Sequence, residues 1–296
     1  MKVTWLHEAV PRPRRVAVGT FDGVHLGHRE VIRGSDTVLT FDPHPLQVLR
    51  GEAMPKLLHS FAVKRDLIAS LGVDELVVVP FDREFAAQSH DRFVDAVLVE
   101  RLGAAHVSVG ENFRFGRSAR GDAEYLRSRP EFETRVVPLV EVEGETVSSS
   151  RIRALVAAGE VDAAARFLGA PFILEGEVVV GDRRGRELGM PTANIVPDDR
   201  LACPGHGVYA ATADGRPAAI NVGVRPTFES GRGVLVEAHL IDFDGDLYGR
   251  TLRLAFHVRL RGERRFESVE ALVEQMHADV ADARRVLSAA ASVSPP

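Results

Sequence analysis

Up to about residue 140 the chain alternates short β-branched runs with helical patterns, and beyond about residue 170 that alternation stops. A single sheet cannot accommodate both regimes, so the chain divides into two folded parts. Its 296 residues, 45% of them hydrophobic, suffice for two cores. In the first part, runs at 15–19, 37–41, 75–80, 106–109 and 135–140 read as strands. Between them lie a helix over 61–71, ended by Gly72, and one capped by Ser89 with Phe93, Val94, Val97, Leu98 and Leu102 at helical spacing. Strand and helix in turn predict a parallel sheet covered on both faces, whose ligands bind at the carboxyl ends of the strands. Two short helices follow, 149–158 closed by Gly159 and 161–168 closed by Gly169. Runs at 172–180, 207–212, 218–222, 234–241 and 251–260, joined by Gly, Pro and Asp turns, then predict a compact β-barrel. A long helix capped by Ser268 closes it, with Val269, Leu272, Val273, Met276, Val280, Ala283 and Leu287 on one face and a frayed tail over 289–296. The boundary is expected near 169–171, giving domains 1–169 and 170–296.

Charge and composition exclude several classes. With 37 basic and 42 acidic residues the net charge is −5, so neither nucleic acid nor an anionic membrane is an expected partner. Only Lys2, Lys56 and Lys64 are lysines, and none lies in a P-loop, so any kinase here is of another kind. Cys203 is the one cysteine, which rules out an intrachain disulfide and a thiolate metal cluster. No signal pattern or membrane-length apolar run is present, and a soluble cytoplasmic protein, monomeric or weakly self-associating, is expected.

The stretch GTFDGVHLGH, residues 19–28, places two imidazoles on a glycine-rich turn directly after a strand. Gly19, Gly23 and Gly27 let backbone amides approach an anion, a helix opens at about Gly27, and His25 and His28, three apart, can face one phosphate. Thr20, Phe21 and Asp22 complete the turn. In VGENFRFG, Gly110 and Asn112 end a strand where an amide could read a ligand edge, with Phe113 and Phe115 available for stacking or for the core. SSSRIR supplies the hydroxyls of Ser149 and Ser150 at a helix start with Arg153 one turn inside, suited to triphosphate oxygens or to simple capping. In the second part GDRRGRELGMPTAN repeats glycine at 181, 185 and 189, as a flap over an anion would. The following extended segment sets Thr192 and Asn194 on one side, a hydroxyl and an amide oxygen fit for a magnesium that completes its shell from ATP and water.

With FDPHP (residues 41–45), NVGVRPTF (221–228) and VEAHLIDFDGDLYG (236–249) added, the chain resembles the bacterial bifunctional riboflavin kinase/FMN adenylyltransferases from about residue 15 to 288. The resemblance implies a Rossmann-like nucleotidyltransferase domain followed by a riboflavin-kinase barrel. The barrel would phosphorylate riboflavin with ATP and Mg²⁺; the first domain would transfer AMP from ATP to FMN, giving FAD and pyrophosphate. It further implies that His25, His28 and Arg153 serve adenylyl transfer and that the turn at 19–22 with Gly27, Ser149 and Ser150 binds ATP. Phe41, Pro43, His44, Pro45, Gly110, Asn112, Phe113 and Phe115 would hold the flavin. In the barrel Gly181, Gly189 and Pro191 would line ATP, and Glu237 matches the family's catalytic glutamate. Two departures stand out: Ser150 replaces the family's frequent Thr, and only twelve residues separate His28 from Phe41, leaving room for a very short helix over about 27–32. That shortening keeps the first helical turn and removes packing area from the sheet, so a chain retaining only kinase activity is the competing expectation.

Overall fold

Successive residues of the first-half strands are buried in opposite directions. Val16, Val18, Leu39, Phe41, Val77, Val79, Val107 and Val109 enter one core, and Ala17, Val38, Leu76 and Val78 enter another. A sheet apolar on both faces must be covered on both, the hallmark of parallel α/β folds. The computed structural model describes residues 1–181, 189–224 and 234–293. Its chain forms two compact units: Met1–Pro55 with Phe61–Ser149, and Lys56–Ser60 with Ser150–Pro296.

The first unit holds β1 (Lys2–Trp5), β2 (Arg14–Val18), β3 (Thr37–Asp42), β4 (Glu75–Pro80), β5 (Ala104–Gly110) and β6 (Glu133–Val137). They form one parallel sheet in the order β1-β4-β3-β2-β5-β6. The order reverses between β2 and β5, which opens a crevice beyond their carboxyl ends. Helix α1 (Leu26–Ile32) lies in the connection from β2 to β3, so a crossover with a helix of only seven residues preserves the parallel topology. Helix α2 (Pro45–Arg50) follows β3 and α3 (Phe61–Ala69) precedes β4. Ser89 caps as expected, accepting from the Arg92 amide at 3.1 Å, but beyond Arg92 the helix is wound as a π-helix over Phe93–Arg101. Its wider turn still buries Phe93, Val94, Val97 and Leu98, so apolar spacing alone could not distinguish the two.

In the second unit α4 (Ser149–Ala158) and α5 (Val161–Leu168) lead to a closed antiparallel barrel, with Gly169 left-handed at the end of α5. The described strands are β7 (Phe172–Val179), β8 (Ala193–Pro197), β9 (Gly207–Ala213), β10 (Arg216–Val224), β11 (Val234–Leu240) and β12 (Thr251–Arg261). They pair in the order β7-β8-β11-β10-β9-β12, and β12 closes on β7. Helix α6 (Val269–Val293) packs Ala283 and Leu287 against Ala210, Ala219 and Ile241, and Ser268 Oγ accepts from the Ala271 amide. Two expectations are corrected here. Val269 is exposed, and the helix continues through the alanine-rich segment expected to fray, because alanine carries the highest helix propensity. Among the described residues no helix is long and apolar enough to cross a membrane.

Lys56–Ser60 belongs to the barrel unit although it lies between α2 and α3 in sequence. Leu57 forms a parallel bridge with Leu201 through Leu57 N to Arg200 O at 2.8 Å and Ala202 N to Leu57 O at 2.7 Å. Ser60 Oγ donates to the Glu175 carboxylate, and the His59 ring stacks on Phe172 at 5.7 Å. Both nitrogens of His59 are enclosed without a hydrogen-bond partner, and burial pushes its pKa down to about 3. Unfolded chains protonate histidine below about pH 6.5, so this segment's contribution is full above that pH and is lost as pH falls through 6.5 toward 3. At pH 5 the cost is about 2 kcal/mol. His59→Leu is therefore expected to raise the melting temperature of the protein, and to raise it more at pH 5 than at pH 8. Equal gains at the two pH values in paired melts would disprove this account.

Candidate functional site

The turn after β2 is shaped by sterics before any ligand is considered. Gly19 is needed because a Cβ there would meet the Phe21 ring at 2.9 Å. Its amide is bonded to Leu39 O at 3.1 Å, so it is part of the sheet rather than an anion donor, a correction to the expected role. Phe21 and Val24 adopt positive φ of 51° and 43°, strain of the kind that gathers at functional turns. Phe21 is itself core, 1% exposed, and serves as a wall for the site.

His25 caps α1: its Nδ1 accepts from the His28 amide at 3.3 Å. Acceptance at Nδ1 assigns the ring proton of neutral His25 to Nε2, making that nitrogen a donor. The same bond consumes one helix-terminal amide that would otherwise be available to a phosphate. The rings of His25 and His28 stack at 3.5 Å, and Phe21 meets His28 edge-on at 5.4 Å. Gly27 permits this stack, since a Cβ there would lie 3.3 Å from the His25 ring. Burial, then His25, then Lys64 hold the His28 pKa well below the usual imidazole value, and its Nδ1 is enclosed without a partner. His28 is thus a neutral hydrogen-bonding group at physiological pH. Asp22 is buried beside the pair, and Ser149 Oγ donates to the Asp22 carbonyl at 2.9 Å, bracing the turn.

The remaining residues expected in the first half divide by burial. Phe41 and Phe115 belong to the core; Phe113 stacks on Phe115 at 5.4 Å and is partly exposed, and Asn112 is exposed at the end of β5 with its Oδ1 near Gly110. His44 caps α2, accepting from the Leu46 amide at 3.1 Å, with Pro45 in the first turn, so FDPHP is also a strand-to-helix joint that positions Pro43. Ser150 and Arg153 lie in the second unit, where Arg153 Nη2 donates to Ser150 Oγ at 3.2 Å.

In the barrel, Asn194 of β8 stands opposite Glu237 of β11, which stands opposite Asn221 of β10. The adjacent row, Ile195, Val236 and Val222, is fully buried, so alternation turns the polar row to the other face. Asn221 Nδ2 donates to Glu237 Oε2 at 3.3 Å. Gly181 is sterically required, because a Cβ would fall 2.2 Å from the Asn194 amide nitrogen. His239, two residues beyond Glu237, donates from Nδ1 to Pro191 O at 2.9 Å and anchors the end of the glycine-rich segment, where Gly189 has φ +76°. Residues 182–188 of that segment and 225–233 of NVGVRPTF lie outside the described residues. Thr192 immediately precedes β8, two residues before Asn194. Asn221 was not singled out in the sequence, although its strand position opposite the one candidate carboxylate is a signal that pairing would have revealed. Burial pushes the Cys203 thiol up to about 12, which excludes it as a nucleophile at neutral pH.

A strained histidine turn at the switch point of a parallel sheet, and a carboxylate between two amides on a barrel, define a two-unit nucleotide-dependent transferase. The family model for FAD synthetase matches residues 7–151, and that for riboflavin kinase matches 168–287. Relatives described as bifunctional riboflavin kinase/FMN adenylyltransferase are 36% identical in Pseudomonas fluorescens, covering 98% of each chain, and 34% identical in Bacillus subtilis, covering 92% of each. A solved structure described as a macrolide-efflux protein from Streptococcus pneumoniae superposes with a TM-score of 0.85 at 30% identity, over 96% of this chain and 99% of that one. The chain belongs to the bifunctional riboflavin kinase/FMN adenylyltransferase family.

Proposed function

We propose that residues 1–169 carry adenylyl transfer on the His25–His28 turn and that residues 170–296 carry riboflavin phosphorylation on the Asn194–Glu237–Asn221 row. The enzyme phosphorylates riboflavin to FMN and adenylylates FMN to FAD with ATP, releasing pyrophosphate. The observation that carries the residue assignment is the cross-strand register, which presents Glu237 between two amides within the span matched to riboflavin kinase.

For phosphorylation, Glu237 accepts the proton of the ribityl 5′-hydroxyl as its oxygen attacks the γ-phosphorus of ATP and the bond to the β,γ-bridging oxygen breaks, releasing ADP, and Asn221 fixes the carboxylate's orientation. Thr192 and Asn194 offer hard, neutral oxygens. Hydroxyl and amide oxygens of this kind suit a magnesium that would complete its shell from ATP and water. Such an ion would neutralise charge on the β- and γ-phosphates. For adenylyl transfer the attacking FMN phosphate is already ionised, so no base is needed and catalysis is alignment and charge stabilisation. His25 and neutral His28 donate to phosphoryl oxygens, the hydroxyl of Ser149 adds a contact, and Asn112 with Phe113, Gly110 and the 41–45 joint receives the flavin. A lone cysteine without a disulfide partner supports a cytoplasmic setting, and we assign the enzyme as a monomer or weak homo-oligomer.

Incubation of the purified protein with riboflavin, excess ATP and Mg²⁺ is expected to yield FMN first and FAD later, and chelation of Mg²⁺ to stop both. Accumulation of FMN alone would show that the short α1 crossover disables adenylyl transfer.

A further inference from the structure

In a chain that uses arginine for nearly every cation, one of only three lysines is buried under the phosphate turn. Lys64 lies in the first turn of α3 and is 8% exposed. Its Nζ donates to Thr40 Oγ1 at 3.3 Å and to Thr20 O at 3.4 Å, and Thr40 Oγ1 donates to the same carbonyl at 3.2 Å. Phe61 lies under the ammonium at 5.5 Å. A compact head with three donors suits this closed space. The contacts tie the turn at 19–22 to the end of β3, the two segments that flank His25 and His28.

We propose that Lys64 is a positioning residue of adenylyl transfer, pinning the 19–22 turn and placing a fixed positive charge behind the phosphoryl site. The inference rests on the assignment of the His25–His28 turn to that reaction. Burial lowers the lysine pKa to about 8, with Asp42 and then Asp22 opposing the shift, so the group remains charged at neutral pH. Its charge in turn helps to keep His28 neutral. A buried ammonium is expensive to desolvate, and the attraction of Asp42 and Asp22 offsets only part of that cost, so the charged side chain is a net burden on folding. A role in the reaction therefore predicts that activity and stability move apart.

The test compares Lys64→Met with Lys64→Arg in the full chain. FAD formation from FMN is followed with KM determined separately for ATP and FMN, and riboflavin phosphorylation and melting are measured on the same samples. Lys64→Met is expected to lower kcat/KM for ATP in FAD formation roughly 10- to 100-fold, to leave KM for FMN and kinase activity within about twofold, and to melt at the wild-type temperature or above. Lys64→Arg, which keeps the charge, is expected to retain more activity than Lys64→Met. Wild-type FAD formation in Lys64→Met, equal damage in both variants, or failure of Lys64→Met to fold would each overturn the proposal. His28→Ala separates the two readings: if it too leaves FAD formation intact, the site assignment fails; if it abolishes FAD formation while Lys64→Met does not, only the role of Lys64 fails.

Discussion

His28→Ala is expected to reduce FAD formation from supplied FMN by roughly 10³-fold and to leave riboflavin phosphorylation within about twofold. The size follows from the job assigned to the ring. The nucleophile is an ionised phosphate, so no proton need be removed, and the barrier is set by how well two anions are held together. Removal of a preorganised donor from such a site is costly because water that replaces it is neither fixed nor dehydrated. The stacked partner adds to this: His25 loses its ring contact with His28. A pH profile gives an independent check. Because burial, His25 and Lys64 hold the His28 pKa well below its usual value, His28 should contribute no limb near pH 6.5 to the profile of FAD formation. Full activity of the alanine variant would remove the turn from the mechanism.

Glu237→Gln is expected to produce the reverse pattern. FMN formation should fall by roughly 10²- to 10⁴-fold, while adenylylation of supplied FMN is unaffected. Glutamine is the informative replacement because it keeps an oxygen that can accept from Asn221 Nδ2 and so preserves the 3.3 Å contact and the packing of β11. What it loses is basicity toward a hydroxyl that is a poor nucleophile when protonated. Separate chromatographic quantification of FMN and FAD measures this. A kinase rate within a few-fold of wild type would mean that orientation, not proton transfer, is the contribution of the row.

The sequence displays this molecule where its determinants are local. Runs of buried apolar residues mark β3, β4 and β5, Gly169 ends α5 where its left-handed φ is required, and the cap at Ser89 lies three residues from the amide it receives. Illegible features depend on partners distant in the chain. Edge strand β1 has four residues and one buried side chain, too little pattern to detect. Asn221 acquires meaning only when β10 and β11 pair, and Lys64 only when α3 lies behind the 19–22 turn. The capping bonds of His25 and His44 illustrate a different limit: histidines on a motif present two nitrogens, and which one the backbone claims is decided by geometry.

The barrel's loan of Lys56–Ser60 from the first half of the chain has a consequence for how such enzymes can be divided. The polypeptide passes between the units after Pro55, after Ser60 and again after Ser149. No single scission separates them into complete parts: a fragment beginning at Ser150 lacks the bridge to Leu201, the ring on Phe172 and the hydroxyl on Glu175. Gene fusion or domain exchange at the obvious junction would thus carry a hidden debt of five residues, and the two activities, though chemically independent, are inherited as one interleaved thread.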